Sequence, residues 1–149
     1  MPARDSYHNA VKTALIADGW TITHDPYRIE YAGKDAYVDL GAERASLDMV
    51  LAAERGRTAI AVEIKTFTGL SVLTDLQQAI GQFLLYRTWM RRTDPQRLLY
   101  LAVDVETAVS VFAQEFGRIV ADDVQIRLIV INMTAERIVE WKHFPTTDR

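Results

Sequence analysis

Three side chains, Asp48, Glu63 and Lys65, carry the chemistry that this sequence most clearly offers. Glu63 and Lys65 are two positions apart, so in a strand they point to the same side of the sheet. An antiparallel neighbouring strand can bring Asp48 alongside them. Two carboxylates at bonding distance repel each other and raise a pKa unless a cation lies between them. Mg²⁺ (or Mn²⁺ in its place) suits this set, because it binds one or two carboxylates together with phosphate oxygens and waters.

This arrangement predicts a Mg²⁺-dependent site for cutting phosphodiesters, with Asp48 and Glu63 as metal ligands. Such an ion polarises a phosphoryl oxygen and helps to generate hydroxide from bound water. Lys65 would orient that water or neutralise charge in the transition state. The alternative is a structural ion pair between Lys65 and one of the two acids, which is common at strand ends. Both interpretations stay open at this point.

The elements that must position these residues follow from the hydrophobic pattern. Residues 46–53 and 58–66 read as two strands joined by a turn at residues 54–57, which predicts an antiparallel hairpin. In the second strand Ile60, Val62 and Ile64 share the face opposite to Glu63 and Lys65. Residues 36–40 predict a further short strand, and Asp39 and Glu43 beside the hairpin are additional candidate ligands.

The remaining segments predict one α/β domain over residues 1–149, with a mixed, mainly antiparallel sheet flanked by helices on both faces. Helices are predicted at residues 4–18 (ended by Gly19), 74–92 (opened by a Ser71/Thr74 cap) and 106–116 (closed by Gly117). Further strands are predicted at residues 20–23, 97–103, 124–131 and 137–143.

Other polar and aromatic residues each allow a functional and a structural interpretation. Asp5, His8 and Lys12 share one face of the first predicted helix, where they would either line the cleft or form a solvated polar face. The tryptophans are expected to be core or interface anchors rather than platforms for stacking bases.

Composition limits the functions that remain. The 17 basic and 20 acidic residues give a net charge of −3, which disfavours tight binding of DNA. Arg87, Arg91, Arg92 and Arg97 are close in sequence and would supply a basic patch, or simply cations at a helix end. The absence of cysteine excludes disulfides, thiolate zinc sites and a cysteine nucleophile. With no long apolar run and a polar N-terminal stretch, we expect a cytoplasmic protein that does not cross a membrane.

The residues Asp48, Glu63 and Lys65 resemble the motif of the PD-(D/E)XK nuclease superfamily, although Leu47 replaces its proline. Gln82 and Tyr86 are similar to the Q-x-x-x-Y element of RecB-like members. This resemblance implies a restriction-endonuclease-like core, in which Gln82 and Tyr86 support catalysis.

A resemblance to the XisH family extends over nearly the whole chain. It is carried by MPARDSYHNAVK (residues 1–12), DGWTITHDPY (18–27), VEIKTF (62–67) and QFLLY (82–86). XisH-like proteins are named as controlling factors for excision of the fdxN DNA element during heterocyst differentiation. The resemblance implies DNA, an XisI-like protein and a site-specific recombinase as partners.

That family role leaves three hypotheses. The chain is a metal-dependent nuclease, a non-catalytic accessory protein that binds XisI and a recombinase, or one member of a toxin–antitoxin-like pair with XisI. Its small size and apolar helix surface also suggest a homo-oligomer.

Overall fold

A computed structural model of the protein describes residues 3–45, 57–69 and 71–145, with side chains from residue 6 onward. The helices are α1 (Ala3–Ala17), α2 (Val72–Thr93), α3 (Val105–Thr107), which continues into a π-helical turn (Ala108–Phe112), and α4 (Glu115–Val124). The strands are β1 (Thr21–His24), β2 (Tyr27–Tyr31), β3 (Lys34–Val38), β4 (Leu40–Ala45), β5 (Arg57–Ile64), β6 (Leu98–Asp104), β7 (Arg127–Asn132) and β8 (Arg137–His143).

Six of these strands form one mixed sheet in the order β1-β4-β5-β6-β7-β8. Strands β5, β6 and β7 are parallel to one another, and the other neighbours pair antiparallel. Strands β2 and β3 form a separate antiparallel hairpin. The predicted mixed, mainly antiparallel α/β architecture is therefore confirmed.

Each face of the sheet carries its own hydrophobic core, because alternate residues of the central strands point to opposite sides. On one face, Leu101 of β6 packs in a cluster with Phe83 of α2. On the other face, Tyr100 of β6 packs in a cluster with Leu15 of α1. Helices cover both faces, as the sequence predicted. Glu63 is two positions after Ala61 in β5, so both residues point to the same face of the sheet. This is the face on which α2 lies.

The strand neighbours of β5 differ from the predicted hairpin. Its antiparallel partner is β4, with Leu40 opposite Val62 and Ala45 opposite Arg57. Its other edge is occupied by β6. The predicted strand at 46–53, and with it Asp48, lies outside the described residues. The prediction missed that β4 comes from the segment around Asp39, because the pairing of two strands depends on packing between distant residues rather than on local pattern.

Gly117 does not end a helix, contrary to the prediction for residues 106–116. It lies inside α4, where a Cβ atom would collide with the carbonyl oxygen of Val111. The glycine therefore allows α4 to approach the π-helical turn closely. The left-handed residue that follows α4 is Gln125, with φ of 63°.

The tryptophans anchor packing, as predicted. The rings of Trp20 and Trp141 lie 5.8 Å apart, and Trp141 also contacts Tyr100 edge-on at 5.0 Å. Trp89 lies 6.0 Å from Tyr31 and so ties the β2–β3 hairpin to α2. Within the described ranges, the helices are too short or too polar to span a bilayer.

Candidate active site

Asp39 and Glu63 meet where β4 begins and β5 ends. Leu40 pairs with Val62, so the same register places Asp39 opposite Glu63. The backbone N–H of Ile64 donates to Oδ2 of Asp39 at 2.8 Å. The backbone N–H of Asp39 lies 3.4 Å from Oε1 of Glu63, which accepts this hydrogen bond. The backbone of each strand thus orients the carboxylate of the other.

The electrostatics of this pair are unusual for surface acids. Glu63 is only 6% exposed. Burial, and next the negative charge of Asp39, raise the pKa of Glu63 to about 7, although Lys65 opposes the rise. Near neutral pH the carboxyl group of Glu63 is therefore protonated in part of the molecules and ionised in the rest. A cation beside the two carboxylates would favour the ionised form.

Lys65 follows β5 directly and remains at the mouth of the site. Its Nζ lies 3.6 Å from Oε2 of Glu63, and its side chain is 21% exposed. Its backbone N–H donates to the carbonyl oxygen of Ala102, which extends the pairing with β6. The Glu63–Lys65 ion pair expected under the structural alternative is present. Asp39 places a second carboxylate beside this ion pair.

Helix α2 carries Tyr86, which lies close enough to the carboxylates to feel their charge, and Gln82 one turn earlier. Tyr86 is 9% exposed, and burial, followed by the charges of Glu63 and Asp39, raises its pKa. The Oε1 atom of Gln82 is buried, and no described residue donates a hydrogen bond to it. A buried acceptor without a donor costs roughly 1–3 kcal/mol. Both residues lie on α2, as the sequence predicted, and their catalytic role stays a prediction.

A cavity of about 400 Å³ opens onto Asp39, Glu63 and Lys65. Asp75 and Gln78 of α2 also line this cavity, and neither was a candidate from the sequence. Asp75 accepts a hydrogen bond from the backbone N–H of Gly69 at 2.9 Å, so it secures the loop between β5 and α2.

Helix α1 supplies Tyr7 and His8 to the opposite wall of this cavity. Nε2 of His8 and Nζ of Lys12 each lie 2.8 Å from a carboxylate oxygen of Asp25. The hydrogen bond from Lys12, with help from His8, lowers the pKa of Asp25. Of the two alternatives for this face of α1, His8 fits the first because it lines the cleft, whereas the charge of Lys12 is paired with Asp25. The side chain of Asp5 lies outside the described residues.

The four arginines of the predicted basic patch do not share one surface, because Arg97 is buried while Arg91 and Arg92 are exposed. Arg97 is buried, donates to Oδ2 of Asp94 and to the carbonyl oxygen of Ile60 at 2.9 Å each, and lies over the ring of Tyr27. This side chain is part of the structure and does not offer its charge to DNA. Glu43, a candidate ligand, lies 3.6 Å from Arg97 and so belongs to this network.

The chain is similar to proteins of one family over most of its length. The model of the family described as "XisH protein" matches residues 1–139. No curated protein gives a significant match.

Two crystal structures resemble the fold described above. One is an XisH family protein from Nostoc punctiforme, with 34% identity and a TM-score of 0.81, covering 92% of this chain and 98% of that one. The other is described as an fdxN element excision controlling factor protein from Anabaena variabilis, with 35% identity and a TM-score of 0.80, covering 93% and 98%.

Proposed function

This chain belongs to the XisH family, and we propose that it is a controlling factor for programmed excision of a DNA element, with a divalent-metal site that acts on DNA phosphodiesters. One observation carries the metal site: the carboxylates of Asp39 and Glu63 are oriented by reciprocal backbone hydrogen bonds at the edge of a cavity. The family relationship supports the link to DNA excision.

The donor set suits a hard cation. No group of three or more His, Asp or Glu side chains converges among the residues that the structure describes. The protein would therefore supply two carboxylates to Mg²⁺ or Mn²⁺, which commonly complete their shell with waters and phosphate oxygens. Asp48, outside the described residues, remains a predicted further ligand. Glu63, whose pKa is about 7, would bind the ion in its ionised form.

The remaining residues have distinct tasks. When bound, the ion would polarise the phosphoryl oxygen and make water more acidic. The ammonium group of Lys65 neutralises part of the charge of Glu63 and is exposed enough to contact a phosphate or a water in the cavity. From α2, Tyr86 and Gln82 would support the carboxylates, and the unpartnered Oε1 of Gln82 can accept a hydrogen bond from a bound water.

A second candidate is a non-catalytic accessory protein that binds an XisI-like protein and a site-specific recombinase. Its support is an apolar groove of about 320 Å³ between α2 and α4. Leu73 at this groove and Ile119 of α4 are more than half exposed. Exposed apolar patches of this kind mark protein interaction sites. The net charge of −3 also favours a protein partner over DNA. The same surface would serve a homo-oligomer.

The nuclease proposal is tested with plasmid and branched DNA in the presence of Mg²⁺ or Mn²⁺. We expect cleavage that Asp39→Asn, Glu63→Gln and Lys65→Ala abolish. Glu140→Gln removes the same charge from an exposed position on β8 and should leave cleavage unchanged. Loss in the control as well would point to a general charge effect, and cleavage that none of the variants lowers would point to contaminating nuclease.

The accessory proposal has a separate test with purified XisI-like protein. Leu73→Ser and Ile119→Ser should weaken binding, whereas Val139→Ser, at a similarly exposed site on β8, should not. Absence of cleavage on every DNA, with binding that survives Glu63→Gln, would favour the accessory role.

A further inference from the structure

Three arginine side chains come together near the amino ends of β6 and β7. Arg87 and Arg91 lie one helical turn apart on α2, and Arg127 is the first residue of β7. All three line a cavity of about 90 Å³, which Leu98 and Leu99 of β6 also border. The sequence suggested the first two as part of a patch, but only the fold adds Arg127.

These three guanidinium groups differ from five other arginines of the described chain. Arg28, Arg44, Arg57, Arg97 and Arg118 each pair with a carboxylate. In the described part of the chain, no acidic side chain forms an ion pair with Arg87, Arg91 or Arg127. The fourth arginine of the cavity, Arg97, is already committed to Asp94 and Glu43.

Arg87 is held in place without losing its charge. Its Nη1 donates to the carbonyl oxygens of Val124 and Gln125 at 2.9 and 3.2 Å. Among the described residues, none accepts a hydrogen bond from its Nε or Nη2, so these donors face the cavity or solvent. Burial, and then the positive charges of Arg91 and Arg127, lower the pKa of Arg87. The fold therefore keeps like charges together, which is unfavourable unless an anion or solvent compensates.

The shape and donors of this cavity select a class of anion. Guanidinium groups present several N–H donors in a planar fork that matches phosphate oxygens. One water needs roughly 10–15 Å³ of such space, so a cavity of about 90 Å³ accommodates a phosphate-sized group. We propose that Arg87, Arg91 and Arg127 form a binding site for a phosphate-type oxyanion.

This site is distinct from the carboxylate pair of Asp39 and Glu63. Asp75, which lines the cavity at that pair, and Arg91 are at opposite ends of α2. They are sixteen positions apart, which at 1.5 Å per residue corresponds to roughly 24 Å along the helix axis. One phosphate group cannot occupy both places, whereas a nucleic acid could reach both. The ligand is thus either a backbone phosphate of nucleic acid or free phosphate.

Calorimetric titration with inorganic phosphate, and fluorescence anisotropy with a labelled DNA duplex, test the proposal. We expect Arg91→Ala and Arg127→Ala to weaken binding about tenfold, which is the size of a lost charged contact. Arg92→Ala removes the same charge one residue away, where the guanidinium donates to the carbonyl oxygen of Thr88 and does not line the cavity. It should change affinity less than about twofold, as expected of a surface site away from the ligand. Arg91→Lys keeps the charge and should bind with intermediate strength, because the fork is lost.

The same experiment distinguishes a backbone phosphate of nucleic acid from free phosphate as the ligand. If DNA is the ligand, each Arg→Ala variant should lower the salt dependence of duplex binding by about one unit in the slope of log K against log salt. Binding of phosphate without binding of the duplex would identify a free phosphate ligand. Because Arg91 is exposed, its variants should fold, which thermal unfolding without ligand would verify. The proposal is wrong if the protein binds neither probe, or if Arg92→Ala weakens binding as much as Arg91→Ala.

Discussion

Asp39 and Glu63 orient each other through the backbones of two antiparallel strands. The N–H of Asp39 lies 3.4 Å from a carboxylate oxygen of Glu63, and the N–H of the residue after Glu63 donates to Asp39 at 2.8 Å. These bonds hold two acids close together although their charges repel. The cost falls mainly on Glu63, which is the more buried acid and has a pKa of about 7. The repulsion leads to predictions for stability and for metal binding.

Glu63→Gln should stabilise the protein at pH 8. Between pH 4.5 and about 7 the folded protein keeps a proton on Glu63 that the unfolded chain releases. The free energy of unfolding therefore falls as the pH rises through this window. Glutamine removes the ionised form, so the variant should gain on the order of 2–3 kcal/mol at pH 8. Urea unfolding from pH 4 to pH 8 would measure this, with Glu140→Gln as the exposed control. An unchanged pH dependence in Glu63→Gln would contradict the prediction.

Binding of Mn²⁺ should release a proton and weaken at low pH. An ion beside Asp39 and Glu63 requires the ionised form of Glu63, so the apparent affinity should fall about tenfold per unit below pH 7. Calorimetry in two buffers with different ionisation enthalpies would count the proton. Asp39→Asn and Glu63→Gln should lose binding. An affinity that stays the same from pH 5.5 to pH 8 would show that the ion binds elsewhere.

Arg97→Ala should destabilise the fold strongly. Arg97 is 8% exposed and bridges Asp94, the carbonyl oxygen of Ile60 and the ring of Tyr27. Removing one partner of a buried charge pair typically costs about 3–5 kcal/mol. Arg92→Ala, on the exposed surface of α2, should change the free energy of unfolding by less than about 0.5 kcal/mol. Similar midpoints in urea for both variants would argue against the buried network.

Gly117→Ala and Gly81→Ala should have opposite effects. A Cβ atom at Gly117 would collide with the backbone of Val111, so α4 must shift, at a cost of about 1–3 kcal/mol. At Gly81 no atom lies within 4 Å of the new methyl group. There alanine should stabilise α2 by about 1 kcal/mol, because it favours the helix. Thermal unfolding of the two variants provides the comparison, and destabilisation of equal size in both would contradict it.

The sequence located most elements because their signals are local. The alternation along β5 put Glu63 and Lys65 on one face, and the helical spacing of α2 placed Gln82 and Tyr86 over that face. The Ser71 cap was also found from sequence, since its side chain accepts a hydrogen bond from Thr74. The prediction that Gly117 ends a helix was wrong, because a glycine required for close packing has the same local sequence pattern as one that ends a helix.

The sequence alone determined the central part of the site: a buried strand that carries an acid and a lysine two positions apart. Only the tertiary structure decided that Asp39 faces Glu63, that Arg127 joins Arg87 and Arg91, and that Arg97 is withdrawn into the core. Periodicity depends on neighbouring residues and can be read along the chain. The pairing of β4 with β5, and of β6 with β7, depends on the packing of both hydrophobic cores together, which no local segment encodes.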